Sequence, residues 1–194
     1  MIHTLLPALL LIVLGQTHRH PFIAGLDDRL FLALHRPLRR APCDRIFRSL
    51  WPLGTTPVTL MVLLALILWN WQAGLSAAGG YALGAGLERL VKITLRRARP
   101  FEHLPDVSML QPRRPHDPSY PSGDALRVWF LAVSLTHFLG LAGESAAVLF
   151  LLAFLVSLGR IALGVHHPLD VLSGSGLGVF SAWLTAMLHI SFLA

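Results

Sequence analysis

Uncharged apolar runs recur along this chain, and a run of that kind has few ways to fold. Inside lipid no water satisfies backbone amides and carbonyls, so only helices and closed barrels cross a bilayer. A helical crossing needs about 20 predominantly apolar residues. Six stretches read as spans: about Ile2–Thr17, Pro52–Trp71, Gly74–Val91, Ala125–Leu141, Ser145–Leu158 and Pro168–Phe192. The first, with its apolar run Leu5–Leu14, is short. No lysine or arginine precedes that run and no small-residue cleavage site follows it, so a weak first span is expected rather than a cleaved leader. Of 194 residues, 54% are hydrophobic and 13% charged. Soluble domains carry about 25% charged residues, so a soluble globular domain is excluded. The expected fold is all-α: one membrane-embedded domain over residues 1–194, a bundle of six transmembrane helices. The lone Cys43 excludes an internal disulfide.

The connections sharpen this plan. After the first span, Phe22, Ile23, Leu26, Leu30, Phe31 and Leu34 fall on one helical face and Asp27, Asp28 and Arg29 on the other. That pattern predicts an amphipathic helix lying in the interface. The segment Arg36–Arg48 is arginine-rich and broken by Pro37 and Pro42. Trp51, Trp69 and Trp71 suit interfacial anchors, and Gly79, Gly80, Gly84 and Gly86 permit close helix packing. With six spans, all 16 lysines and arginines fall at one edge of the bundle, and the two opposite loops carry none. The formal net charge of +6 is therefore assigned to membrane headgroups and anionic lipid, not to nucleic acid.

Three polar clusters lie at that basic edge. In the first, seven positions separate Lys92 from Arg99, about two helical turns, so both can share one face. Lysine offers a point charge and arginine a fork matched to phosphate oxygens. Arg96, Arg97, Arg113 and Arg114 are read as headgroup contacts. The second cluster, Tyr120-Pro121-Ser122-Gly123-Asp124, stands just before an apolar helix. Ser122 suits the N-cap, the free amides and dipole of a helix start attract anions, and Gly123 lets a phosphate approach the backbone. The third holds Arg160, His166, His167, Pro168 and Asp170. Pro168 suits the first turn of the last helix. Asp170, one turn beyond His166, can take the Nδ1 proton and leave Nε2 free to attack.

Together these residues resemble the type-2 phosphatidic acid phosphatase superfamily, whose pattern is Lys-x6-Arg-Pro, then Pro-Ser-Gly-His, then Ser-Arg-x5-His-x3-Asp. The chain has Lys92-x6-Arg99-Pro100, Pro121-Ser122-Gly123-Asp124 and Gly159-Arg160-x5-His166-x3-Asp170, within a likeness covering about residues 53 to 190. The resemblance implies an integral membrane phosphatase working through a phosphohistidine, with no metal or other cofactor. His166 would attack phosphorus and Asp170 would orient it. Lys92, Arg99, Arg160 and the amides near Ser122 and Gly123 would hold the equatorial oxygens. The substrate would be a phospholipid or polyprenyl phosphate: undecaprenyl diphosphate, phosphatidic acid, phosphatidylglycerophosphate or a lipid A phosphate.

Two positions depart from the pattern. Gly159 replaces a serine that is an auxiliary phosphate contact. Asp124 replaces the histidine that protonates the leaving oxygen, a contribution of about 10²–10⁴-fold. Aspartate is ordinarily ionised at neutral pH, and a helix N-terminus, nearby cations and Arg127 favour that form. Three outcomes stay open. Asp124 acts as the acid beside a phosphate dianion; or the leaving group is a phosphate that needs no proton, which suits a diphosphatase or a phosphotransferase with a polyprenyl diphosphate donor; or the chain binds or transports lipid phosphates without turnover. The expected location is the bacterial inner membrane. The positive-inside rule places the basic edge in the cytoplasm, whereas the family likeness places the site in the periplasm.

Overall fold

The computed structural model describes residues 2–40 and 42–193, and every regular element among them is helical. In chain order these are α1 Ile2–Gln16, α2 Pro21–Leu38, α3 Cys43–Leu50, α4 Thr56–Trp69, α5 Trp71–Leu95, α6 Pro100–His103, α7 Gly123–Phe138, α8 Gly143–Ala162 and α9 Pro168–Leu193. Short 3-10 turns at Thr17–Arg19 and Trp51–Gly54 lead into α2 and α4. Local chemistry sets several ends. The Asn70 side chain accepts from the Ala73 amide at 3.0 Å and caps α5. At its other end Arg96 turns left-handed, with φ 46°, and stops the helix. Ser122 caps α7.

The helix α9 is the axis of the bundle and lies against α1, α5 and α7. Such an approach needs small residues at the crossing points. At Gly80 of α5 a Cβ would overlap the Thr185 hydroxyl, and at Gly178 of α9 it would stand 2.9 Å from the Phe130 amide of α7. Around these contacts Leu63, Leu66, Tyr81, Leu126, Phe130 and Leu177 form the largest apolar cluster.

One helix stands at each expected span, but their lengths differ in kind. Among the described residues, α8 and Pro168–Ile190 of α9 are long and apolar enough to cross a membrane. A third crossing appears when Cys43–Gly54 is joined to α4 across a 50° bend. The helices α1, α4 and α7 have 15, 14 and 16 residues. At 1.5 Å per residue they reach about 21–24 Å, short of a hydrocarbon core of about 30 Å. The 25-residue α5 is long enough, but Glu88, Arg89 and Lys92 charge its last third.

Two local readings change. The Arg36–Arg48 segment contains a helix, α3, because Pro42 sits at its N-cap instead of inside it. The helix α2 is amphipathic as expected, but its inward stripe is Asp27, Phe31 and His35, all buried, while Phe22, Leu26 and Leu30 are exposed. Asp27 turns inward because it has partners there. Its Oδ1 accepts the Leu169 amide at 3.1 Å and its Oδ2 accepts from Arg97 at 2.7 Å.

Candidate active site

The C-terminal ends of α5 and α8, the N-terminal ends of α4 and α7, the turn after α8 and the segment from residue 96 to 119 meet around a cavity of about 280 Å³. Lys92, Arg99, Gly123, Asp124, Arg160 and His166 all line it. Side chains 74 positions apart in sequence thus face one small space. The wall also includes Gln111, Arg113, Asp117 and Arg127.

His166 occupies the turn between α8 and α9 and is buried. Arg99 Nη1 donates to the Val165 carbonyl at 2.9 Å and to His166 Nε2 at 3.2 Å. A guanidinium can only donate, so Nε2 carries a lone pair and the imidazole proton is on Nδ1. That proton points at Ser119 Oγ, 3.4 Å away. The Ser119 hydroxyl in turn donates to Asp170 Oδ2 at 2.6 Å. Direct separation between His166 Nδ1 and Asp170 Oδ2 is 3.7 Å, too long for a hydrogen bond. Asp170 therefore reaches the imidazole chiefly through Ser119, where the sequence suggested direct contact. Burial holds the His166 pKa well below the ordinary imidazole value, and the Arg99 charge acts in the same direction.

Asp170 is itself held from several sides. Its Oδ1 accepts from Arg97 at 2.6 Å, and its Oδ2 accepts the His167 amide at 2.9 Å and His167 Nδ1 at 3.2 Å. Arg97 also grips Asp27, so it is a buried tie between α2 and α9 and not a headgroup contact.

The cations of the cavity are met by carboxylates. Lys92 pairs with Glu88 at 2.9 Å and, at short range, with Asp117. Arg99 gives Asp117 Oδ1 a bond of 2.9 Å and the Asp117 carbonyl another of 2.9 Å. Burial pushes the Asp117 carboxyl up, but the Lys92 and Arg99 charges outweigh it and hold its pKa well below the usual carboxylate range. Asp124 is shared by Arg127 at 2.8 Å and Arg160 at 2.9 Å. Arg160 also donates through Nη2 to Gln111, its Nη1 is the atom that lies against Asp124 Oδ2, and its buried Nε makes no hydrogen bond within the protein. A donor of this kind suits an incoming anion.

Two of the residues singled out by sequence stand behind the cavity wall. The fully buried Ser122 donates its amide to the Asp170 carbonyl at 3.0 Å and turns its hydroxyl to the start of α7. Asp170 acts from behind His166. Gly123 lines the cavity and leaves room for Glu88, whose carboxylate a Cβ would overlap. Asp117, Gln111 and Ser119 were not legible as site residues. The sole hint was a carboxylate and a serine placed between two basic clusters.

A family model described as the PAP2 superfamily matches residues 69–191. An undecaprenyl-diphosphatase of Sulfolobus acidocaldarius is 33% identical over 122 residues, covering 61% of this chain and 56% of that protein. The chain spans a little over half the length of the curated relatives it matches. The crystal structure of Aquifex aeolicus LpxE superposes with TM-score 0.74 at 30% identity, covering 82% of this chain and 93% of that one. A transmembrane PAP2 type phosphatidylglycerolphosphate phosphatase from Bacillus subtilis superposes with TM-score 0.76 at 20% identity over 98% of both chains, a likeness of fold.

Proposed function

Given that this chain belongs to the PAP2 superfamily, we propose that it is a membrane lipid phosphatase that cleaves a lipid-linked diphosphate through a phosphohistidine on His166. One observation carries the reading: His166, its Nε2 lone pair held by the Arg99 guanidinium, lines a cavity whose wall also supplies Lys92 and Arg160. In the first step the arriving phosphate takes the Arg99 donor from Nε2, the freed lone pair attacks phosphorus and the bond to the leaving oxygen breaks. Positive charge builds on the imidazole as this happens. The Nδ1 proton stays in place, donated to Ser119, and the Asp170 carboxylate behind that hydroxyl stabilises the charge. The three cations hold the non-bridging oxygens, where charge spreads in the transition state. Water then attacks the phosphohistidine and releases inorganic phosphate.

Preference for a diphosphate follows from Asp124. Its Oδ1 is taken by Arg127 and its Oδ2 by Arg160, so neither oxygen is turned to a leaving group. A lipid alkoxide needs a proton to leave; a lipid phosphate leaving from a diphosphate does not. Six spans in the bacterial inner membrane, with α2 at the interface, complete the reading. A reporter fused to the C-terminus reads the orientation, since six spans put that end opposite the site.

The test is phosphate release by purified protein from undecaprenyl diphosphate, phosphatidic acid, phosphatidylglycerophosphate and a lipid A phosphate, with His166→Ala alongside. Release is expected from the diphosphate first and is abolished by His166→Ala. Turnover surviving that substitution sinks the phosphohistidine route. Lipid binding without release makes the chain a binder, and label passing to a second lipid makes it a transferase.

A further inference from the structure

On the side of Asp170 away from the cavity, three side chains converge that the proposed chemistry does not use. Asp28 comes from α2, His103 from α6 and His167 from the turn into α9. One ligand-capable atom of each lies within 4.8 Å of the others. Asp28 Oδ1 is 3.1 Å from His167 Nε2 and 3.4 Å from His103 Nε2. Two ligands bound at about 2.1 Å to a tetrahedral ion stand about 3.4 Å apart, so this spacing fits a shared ion.

The two rings are also held as ligating histidines are held. His103 Nδ1 lies 3.0 Å from the Arg99 carbonyl, and His167 Nδ1 lies 3.2 Å from Asp170 Oδ2. Donation from Nδ1 to an oxygen fixes the tautomer that leaves Nε2 free to bind. His167 is fully buried, and its Nε2 meets Asp28 Oδ1 at 3.1 Å without an aligned hydrogen bond between them. The side chains of His103 and Asp28 are 38% and 31% exposed, so an ion can enter and keep a water ligand.

We propose that Asp28, His103 and His167 form a binding site for a divalent transition-metal ion of the zinc type. Two imidazoles and one carboxylate suit zinc and its neighbours, whereas magnesium and calcium take oxygen ligands. None of the three residues lines the phosphate cavity, so the ion takes no part in phosphoryl transfer. It ties α2 and α6 to the start of α9 and fixes His167 against Asp170. A proton shared between Asp28 and Asp170 through His167 is the competing occupant.

The test uses the full chain without a histidine tag, stripped with chelator and reloaded with Zn2+ or Co2+. One zinc per chain is expected, with the intense visible bands of tetrahedral Co2+. Asp28→Asn and His103→Ala, with His103→Gln in reserve if the alanine variant does not fold, each weaken binding by at least ~10–100-fold. Zinc raises the melting temperature of the wild type and of neither variant. Equal zinc in wild type and variants assigns the metal to others of the ten histidines and overturns the site. Failure of the reloaded wild type to hold zinc leaves the proton in place and overturns it too.

Discussion

Replacing Asp117 by asparagine should make this protein bind inorganic phosphate more tightly. In the structure the Asp117 carboxylate bonds to both Lys92 and Arg99, two of the cations assigned to the phosphate. An arriving phosphate must displace it or share its donors. A hydrogen bond to a charged group contributes about 1.5–3 kcal/mol. The Asp117 side chain is 36% exposed, so water screens it, and its two bonds together are discounted to about 1–2 kcal/mol. Asparagine keeps the shape and an acceptor oxygen but loses the charge. The inhibition constant of inorganic phosphate against lipid-phosphate turnover should fall about 5–30-fold in Asp117→Asn. Because Lys92 and Arg99 keep Asp117 ionised, the ratio of variant to wild type should be flat between about pH 5 and 8. An unchanged or larger inhibition constant would refute the competition and make Asp117 a brace that aligns the two cations.

Asp124→His should raise turnover of phosphate monoesters by about 10²–10⁴-fold and change diphosphate turnover little; a similar gain on both substrates contradicts the leaving-group argument. On the proposed route the neutral imidazole is the nucleophile, and burial with Arg99 lowers the His166 pKa, so His166 stays neutral as pH falls through its ordinary value. The acid limb of kcat/KM assigned to it should lie below pH ~6.5, and a limb at or above that value counts against the assignment. Arg97→Met leaves Asp27 and Asp170 buried without their shared partner, a loss of about 3–5 kcal/mol; a melting temperature in detergent equal to wild type would show the tie to be idle.

The helices were legible because each apolar run is local, and the Ile2–Thr17 and Pro168–Phe192 readings lie within a residue of α1 and α9. Lys92, Arg99, Arg160 and His166 were legible because spacing and chain order bring them to one edge. The rest depends on partners far away in sequence. Asp27 was placed outward because a charge on an amphipathic helix ordinarily faces water, and partners far along the chain, Arg97 and the Leu169 amide, turn it inward. Arg97 itself sits in a basic run that reads as a membrane flank. Asp117, Gln111 and Ser119 lie in a loop with no period to decode, so their places against Arg99, Arg160 and Asp170 emerge only from the fold.

The anchoring of α2 has a practical consequence. Its outer face of Phe22, Leu26 and Leu30 meets whatever amphiphile surrounds the protein, while Asp27 on its inner face holds Arg97 and the start of α9. Arg97 in turn holds the carboxylate that supports His166. With α2 at the interface and His166 as nucleophile, as proposed, solubilisation is expected to act on that nucleophile from outside, along α2. The choice of detergent or added lipid then becomes a variable of the chemistry itself, and activity is expected to differ between micelles on one and the same substrate.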